Sequence, residues 1–308
     1  MANLFDTGLK LYRLTIKRVR PLHRVTHRIV SATIIPLLQW RRGFHTMPDD
    51  PFWFRLELLT NRHEHETVAL LRRKVKPGMT ILDVGAHVGY YARCFAEMTG
   101  QDGRVIAVEP HPRTFDILQR NVARYPNVTP VQVAAAEQAG TAELHDYLMM
   151  SASGSLHYDQ SMVDLQRSTT GATDVAPRLH QGFAASTFTV RTVSLDALLD
   201  KLGVWQVDLV KMDIEGAEMN ALRGMQETIA RSPDLMLVME YNPQALRAFG
   251  HVPQDALREV MAMGFSQVQA IQADGDLLDI TDDAATLDAL TERLMAGMDV
   301  VNLLLTQT

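Results

Sequence analysis

Residues 81–90 read ILDVGAHVGY: an apolar run with an acid near its end, then Gly85 and Gly89 ahead of a helical pattern. Glycines at such a strand-to-helix turn let backbone N–H groups approach a ligand at the helix N-terminus, outside the carboxyl end of the strand. A dinucleotide turn needs G-x-G-x-x-G to seat a pyrophosphate. Here the spacing is Gly85-x-x-x-Gly89, with Ala86 and His87 where the tight second glycine would stand. The expected ligand is nucleotide-like and lacks a pyrophosphate. About 20 residues on, a second apolar run ends in Glu109, placed to accept both ribose hydroxyls of an adenosine. Strand, acid, turn, helix, strand, acid in this order selects S-adenosylmethionine over NAD.

A second group of polar residues follows the apolar run 207–212. Asp213, Glu215 and Glu218 surround Gly216, and the next run, LMLVMEYNP, brings Glu240 and Asn242 to the end of another strand. In a doubly wound sheet the 207–212 strand neighbours the first across the switch point, so Asp213 should face the methyl-donor cleft. If the methyl acceptor is an alcohol, its proton must be removed as the oxygen attacks, which a carboxylate or a metal-bound alkoxide can do. Asp213 and Glu215 are the expected catalytic pair. Glu218, and Glu215 in a competing reading, would charge the first turn of the following helix, where the dipole favours acids. Asp213, Glu240 and Asn242 could supply oxygen ligands to Mg²⁺; the plainer reading has Glu240 and Asn242 touch substrate or end their strand before Pro243.

The elements that must position these groups alternate in a βαβ pattern. Expected strands are 80–84, 105–108, 128–133, 208–212, 235–240, 266–271 and 300–305, and expected helices are 64–76, 90–98, 114–125, 194–202, 217–230 and 253–263. Seven strands fit one doubly wound α/β sheet. Between the two series, residues 149–189 are rich in Ser, Thr, Gly and Ala without clear periodicity, and so long a stretch reads as a lid or substrate loop. Ser153, Ser155 and His157 within it are candidates for substrate contact, though solvated loop residues is the plainer reading. His63 and His65 lie two apart and share no helix face, which argues against a metal pair. Cys94 reads as core.

At this point the sequence resembles the FkbM-type S-adenosylmethionine-dependent O-methyltransferases. The likeness rests on ILDVGAHVGYYA (81–92), VIAVEPHP (105–112), LQRNV (118–122), VSLDALL (193–199) and VDLVKMDIEGAEMNALRG (207–224), and covers roughly residues 64–265. The family more often has Asn at the position of His87. The resemblance implies a class I (Rossmann-like) methyltransferase fold completed by a late antiparallel hairpin, and methyl transfer to a hydroxyl of a sugar, glycan or natural product. Asp83, Gly85, His87, Gly89, Glu109 and Ala135 are the expected cofactor-binding residues.

Composition sets the outer limits. The chain has 308 residues, 46% apolar and 21% charged, with a single cysteine, which excludes disordered and disulfide-framework classes and fits a reducing compartment. No stretch approaches the roughly 18 to 20 apolar residues needed to cross a bilayer. Residues 1–47 carry nine basic side chains against Asp6, a net of +8; with -6 overall, the remainder holds -14. An acidic body argues against general nucleic-acid binding, and a basic arm argues for a separate task. Phe5, Leu9, Tyr12, Ile16 and Val19 fall on one helical face, and after Pro21 a similar stripe (Leu22, Val25, Ile29, Ala32) runs to Pro36. Residues 1–60 are therefore expected as a basic amphipathic helical extension to a catalytic domain at 61–308. The extension either lies on an anionic membrane surface or docks on the acidic body. With no secretory leader pattern, the expected location is cytoplasmic, with peripheral contact at the inner membrane face. The competing functions are an NAD-dependent oxidoreductase, which the glycine spacing disfavours, and a membrane-associated binding protein without turnover.

Overall fold

The computed structural model describes residues 25–26, 28–146, 154–157, 186–281, 283–297 and 299–307. Along the first part of the chain, the boundary between two compact units falls between His63 and Glu64. In the first unit a π-helical turn (Val30–Ile34) runs into α1 (Ile35–Arg42), which packs on α2 (Phe52–Leu59). Arg55 Nε and Gln39 Nε2 both donate to Thr46 Oγ1, at 2.9 and 3.1 Å. Pro36 does not end its helix as expected. The Ile35 N–H bonds to the Val30 carbonyl five residues back. This widened turn immediately precedes the proline, whose ring would strike the preceding turn of an ordinary helix. The helix expected over Phe5 to Val19, with Pro21 and Leu22, lies outside the described residues.

The second unit is built on twelve strands: β1 (Thr80–Val84), β2 (Arg104–Val108), β3 (Val128–Val131), β4 (Ala134–Ala135), β5 (Gly140–Asp146), β6 (Gly154–Ser155), β7 (Ser186–Val193), β8 (Leu209–Met212), β9 (Met236–Tyr241), β10 (Gln267–Ile271), β11 (Leu277–Asp279) and β12 (Val301–Thr306). Its helices are α3 (His65–Lys74), α4 (Tyr90–Thr99), α5 (Pro112–Val122), α6 (Leu195–Lys201), α7 (Glu218–Arg223), α8 (Gln226–Arg231), α9 (Pro243–Ala248), α10 (Pro253–Ala262) and α11 (Ala284–Gly297). The main sheet has the order β11-β10-β12-β9-β8-β1-β2-β3. Strands β3, β2, β1, β8 and β9 run parallel, and β12 inserts antiparallel between β9 and β10. This is the class I methyltransferase arrangement, with the strand order reversing between β1 and β8. Residues of β1, β2 and β8 are almost wholly buried, as apolar runs in a parallel sheet covered by helices should be.

Register sets the site. Pairing aligns Val84 with Val108, Val84 with Met212, and Met212 with Met239. One residue further along these strands stand Gly85, Glu109, Asp213 and Glu240, level with one another at the carboxyl edge on both sides of the switch point.

The second unit departs from the sequence expectations at several points. The main sheet has eight strands rather than seven, because Gly275, at φ 85°, turns the chain back so that β11 pairs with β10. The expected 128–133 strand stops at Val131, and β4 joins a second sheet of order β4-β7-β5-β6. The 217–230 helix is split into α7 and α8 at Gly224. There the carbonyl accepts the Asp196 N–H, and a Cβ would come within 2.2 Å of the Ala136 carbonyl oxygen. Most of the expected 149–189 lid lies outside the described residues; of the remainder, Gly154–Ser155 form β6 and residues 186–189 begin β7.

Candidate active site

The glycine turn is held by its neighbours more than it is left open for a ligand. Gly85 adopts φ 82°, and a Cβ built there would lie 1.9 Å from the Asp213 carbonyl oxygen, so this residue lets the ends of β1 and β8 approach. The Gly85 and Ala86 N–H groups both donate to the Val108 carbonyl, at 3.0 and 2.9 Å. His87, at φ 50°, donates its N–H to Glu109 Oε2 at 2.9 Å. The expectation that these amides face the ligand is therefore corrected: they tie β1 to β2 and orient Glu109. Gly89, at φ 86°, is the N-cap of α4. A testable consequence concerns two glycines in the same backbone region. Gly85→Ala should destabilise by about 3 kcal/mol or more, adding a backbone clash to left-handed strain. Gly78→Ala, at φ 87° with open space around its Cβ position, should lose only about 1 kcal/mol. Urea unfolding of the two variants compares them; equal losses would contradict the close approach.

Glu109 is 7% exposed. Its Oε2 accepts from His87 N and its Oε1 from His111 N, each at 2.9 Å. A carboxylate offers about four acceptor sites, so two remain for a vicinal diol. Burial pushes its pKa up to about 7 against the opposing pull of those two amides and the His111 side chain. Asp83 is wholly buried in register with Lys211, and among the described residues neither of its oxygens makes a hydrogen bond to another side chain. Burial raises it to about 7, opposed by the Lys211 cation. Asp83 thus lies below the solvent-accessible surface. Ala135 is likewise buried, its methyl within the main core, so only its backbone is left for a cofactor contact.

Asp83 and Glu109 carry a stability signature. In the unfolded chain both ionise near pH 4, but in the fold only near pH 7. Between those values the unfolded state binds fewer protons, so their contribution is present at low pH and is lost as pH rises through 7, at about 1.4 kcal/mol per unit of difference. The ligand-free protein should melt at a lower temperature at pH 7.5 than at pH 5.5. A melting temperature that rises across that interval in a calorimetric scan would contradict the burial of these two acids.

Across the switch point, ligand atoms of Asp213, Glu215 and Glu240 all lie within 4.8 Å of one another. Glu215, at φ 54°, is turned into this cluster by a tight loop. The next residue, Gly216 at φ 99°, backs onto the Ala245 carbonyl and the Phe249 ring. Glu218 is buried, and its Oε1 accepts from Ile214 N at 3.0 Å and Gly216 N at 3.2 Å, so it holds the loop and stays out of the cluster. Burial and the adjacent Asp213 charge push Glu215 up to about 8. Burial followed by the charges of Asp213, Glu215 and Glu218 sets Glu240 well above the usual carboxylate range. Among the described residues Glu240 Oε2 has no hydrogen-bond partner. Three carboxylates so close suit a hard divalent cation or retained protons. Asn242 follows the plainer of its two readings and ends its strand before Pro243: its Oδ1 accepts the Ala245 N–H at 3.1 Å and caps α9. Glu215 takes its place in the oxygen set.

Three contributors escaped sequence reasoning. Lys211 is buried, and its Nζ lies 2.8 Å from Asp213 Oδ2 and 4.7 Å from the centre of the Tyr91 ring. The carboxylates of Asp213, Glu64 and Asp83 raise its pKa despite desolvation. Glu64 Oε2 accepts from Tyr91 Oη and Asn302 Nδ2, both at 2.7 Å. A lysine inside an otherwise apolar strand was the available signal for the first. Glu64 and Tyr91 read as ordinary helix residues. Ser155 Oγ donates to the Glu215 carbonyl at 3.3 Å, and the His157 ring lies 5.4 Å from that of Phe249. Ser153 lies outside the described residues. His63 packs edge-on against Phe54, and buried Cys94 has its thiol pushed up to about 11, both consistent with structural roles.

The methyltransferase FkbM domain matches residues 83–266, more than half of the chain. The chain belongs to the FkbM methyltransferase family. Among curated relatives it is 27% identical over 168 residues to hexuronic acid methyltransferase AglP of Haloferax volcanii, covering 54% of this chain and 59% of that protein, so the chain spans less than two thirds of that relative's length. It is 25% identical over 186 residues to 2-O-methyltransferase NoeI of Sinorhizobium fredii, covering 60% and 72%. Among solved structures, a SAM-dependent methyltransferase from Aquifex aeolicus aligns with 84% of this FkbM chain and 95% of its own, at 14% identity and a TM-score of 0.42.

Proposed function

We propose that this FkbM protein transfers a methyl group from S-adenosylmethionine to a hydroxyl of a sugar, glycan or natural product. The observation that carries the reading is the placing of Glu109, with two acceptor positions to spare, level with Asp213 across the switch point. S-adenosylmethionine supplies an electrophilic methyl on a sulfonium and leaves as S-adenosylhomocysteine when the sulfur keeps the bonding pair. Glu109 would hold the ribose hydroxyls. Asp213, fixed by Lys211, would take the acceptor hydroxyl's proton as its oxygen bonds to the methyl carbon. Asp213, Glu215 and Glu240 would hold Mg²⁺, which suits an all-oxygen set and would neutralise their mutual repulsion. The names of AglP and NoeI, one a hexuronic acid and the other a 2-O-methyltransferase, support a sugar hydroxyl as acceptor. Incubation with S-adenosylmethionine and a panel of uronic acids and oligosaccharides tests this, with S-adenosylhomocysteine release as the readout; release that no hydroxyl acceptor stimulates argues against O-methylation.

The same reading places the protein in the cytoplasm, with its basic extension on the anionic inner face of the membrane. Among the described residues no helix is long and apolar enough to cross a membrane. Val25, Ile29, Leu37 and Trp40 are exposed, Trp40 by 81%, on a segment that also carries Arg28, Arg41 and Arg42. Apolar insertion and about 1 kcal/mol per basic residue near the surface favour binding. The protein should sediment with phosphatidylserine liposomes at low salt, less so at high salt or with neutral lipid. Deleting residues 1–47 should abolish this and leave S-adenosylhomocysteine binding intact. Indifference of the intact chain to anionic liposomes would favour docking of the extension on the acidic body.

A further inference from the structure

We propose that His111 and Asp146 are a positioning pair that fixes the Glu109 carboxylate for the cofactor's ribose, which makes the small sheet a working part of the cofactor site. The inference rests on the reading that Glu109 accepts the ribose hydroxyls. His111 stands between Pro110 and Pro112. The Pro112 ring disfavours helical backbone at His111, which is extended at φ -72° and ψ 121°, and its N–H donates to Glu109 Oε1 at 2.9 Å. Whatever holds His111 therefore holds one arm of that carboxylate.

The side chain of His111 is held from three directions. Nδ1 accepts the Thr114 N–H at 3.4 Å as the N-cap of α5, and Thr114 Oγ1 lies 3.3 Å away. With Nδ1 accepting, the ring proton belongs on Nε2, which faces Asp146 Oδ2 at 3.4 Å. That separation is longer than a well-formed hydrogen bond, so the contact aims the ring more than it binds it. Phe188 of β7 packs edge-on at 4.6 Å between centroids. Asp146 is the last residue of β5, paired with Gly154 of β6 and Ser186 of β7, and is itself buried.

Capping alone does not explain this arrangement. Ser, Asp or Asn would cap α5 without drawing a buried carboxylate from another sheet, and a buried polar pair is seldom the most stable filling for such a space. What the pair adds is a close contact that aims the ring, running from the meeting point of β5, β6 and β7 to the residue whose amide holds Glu109.

The test is a mutant cycle read by calorimetric titration of S-adenosylhomocysteine, with thermal melts to establish folding. His111→Asn keeps a cap for Thr114 but is too short to reach Asp146, and Asp146→Asn removes the charge at constant volume. Each should weaken S-adenosylhomocysteine about tenfold, and the double variant no more than either alone, as members of one unit behave. In a Glu109→Gln background the same changes should alter the dissociation constant less than about twofold, whereas damage of a merely structural kind would add. Phe188→Leu, which leaves the pair but loosens the ring, should give an intermediate loss and serves if a pair variant does not fold. Folded His111→Asn and Asp146→Asn with wild-type affinity, or losses that add to that of Glu109→Gln, overturn the pairing. Wild-type affinity in Glu109→Gln itself overturns the ribose reading instead.

Discussion

Asp213→Asn should lower turnover by two to four orders of magnitude, roughly the range for lost general-base help, while the fold and most of the cofactor affinity survive. The substitution is isosteric, and the Asp213 backbone stays pinned by its N–H to the Val84 carbonyl at 3.0 Å, so β8 should keep its place. What changes is the charge facing Lys211, Glu215 and Glu240. On the proposed reading, loss of that carboxylate would remove either the acceptor of the hydroxyl proton or the charge of one of the three oxygen donors at the cluster. EDTA separates the two roles: inactivation that added Mg²⁺ reverses assigns Asp213 to the metal, and full activity in EDTA assigns it to the proton. Near-normal turnover of Asp213→Asn on an identified acceptor would remove Asp213 from the mechanism.

Glu109→Ala should weaken S-adenosylmethionine ten-fold to a hundred-fold, on the order of 1.5 to 3 kcal/mol for charge-assisted bonds to a diol. The alanine also leaves the His87 and His111 amides without their acceptor, so a stability loss should accompany the affinity loss. Glu109→Gln fills the space and keeps one acceptor, which makes it the better measure of charge. Because burial holds Glu109 at about 7, affinity should also fall as pH drops below that value and the carboxylate protonates. Unchanged calorimetric binding in Glu109→Ala would end its assignment to the ribose.

Much of the main sheet was legible because its strands are short, apolar and separated by capped helices. The helix expected from residue 194 is capped by Ser194, whose Oγ accepts the Ala197 N–H, and β1 runs over the expected residues. The late hairpin implied by the FkbM resemblance is present as β10 and β12. What sequence could not supply was side-chain occupancy. Asn242 and Glu218 carry the right chemistry at the right rim, yet both are used up on backbone amides, and nothing in residue type distinguishes a capping oxygen from a ligand. Glu215 enters the cluster only because its backbone sits at φ 54°, a conformation that its residue type does not advertise. The small sheet was missed because β5 and β7 pair across a long stretch of chain. Their alternation is also weak beside the glycine turn and the acids that dominate the pattern.

The central claim is that the cleft at the β1 and β8 ends takes S-adenosylmethionine. Parallel calorimetric titrations of the full-length protein with S-adenosylhomocysteine and with NAD⁺ test it most directly. One S-adenosylhomocysteine should bind per chain, with NAD⁺ giving no saturable heat, because Ala86 and His87 leave no glycine seat for a pyrophosphate. Saturable NAD⁺ binding, or no binding of S-adenosylhomocysteine by the folded protein, would contradict it.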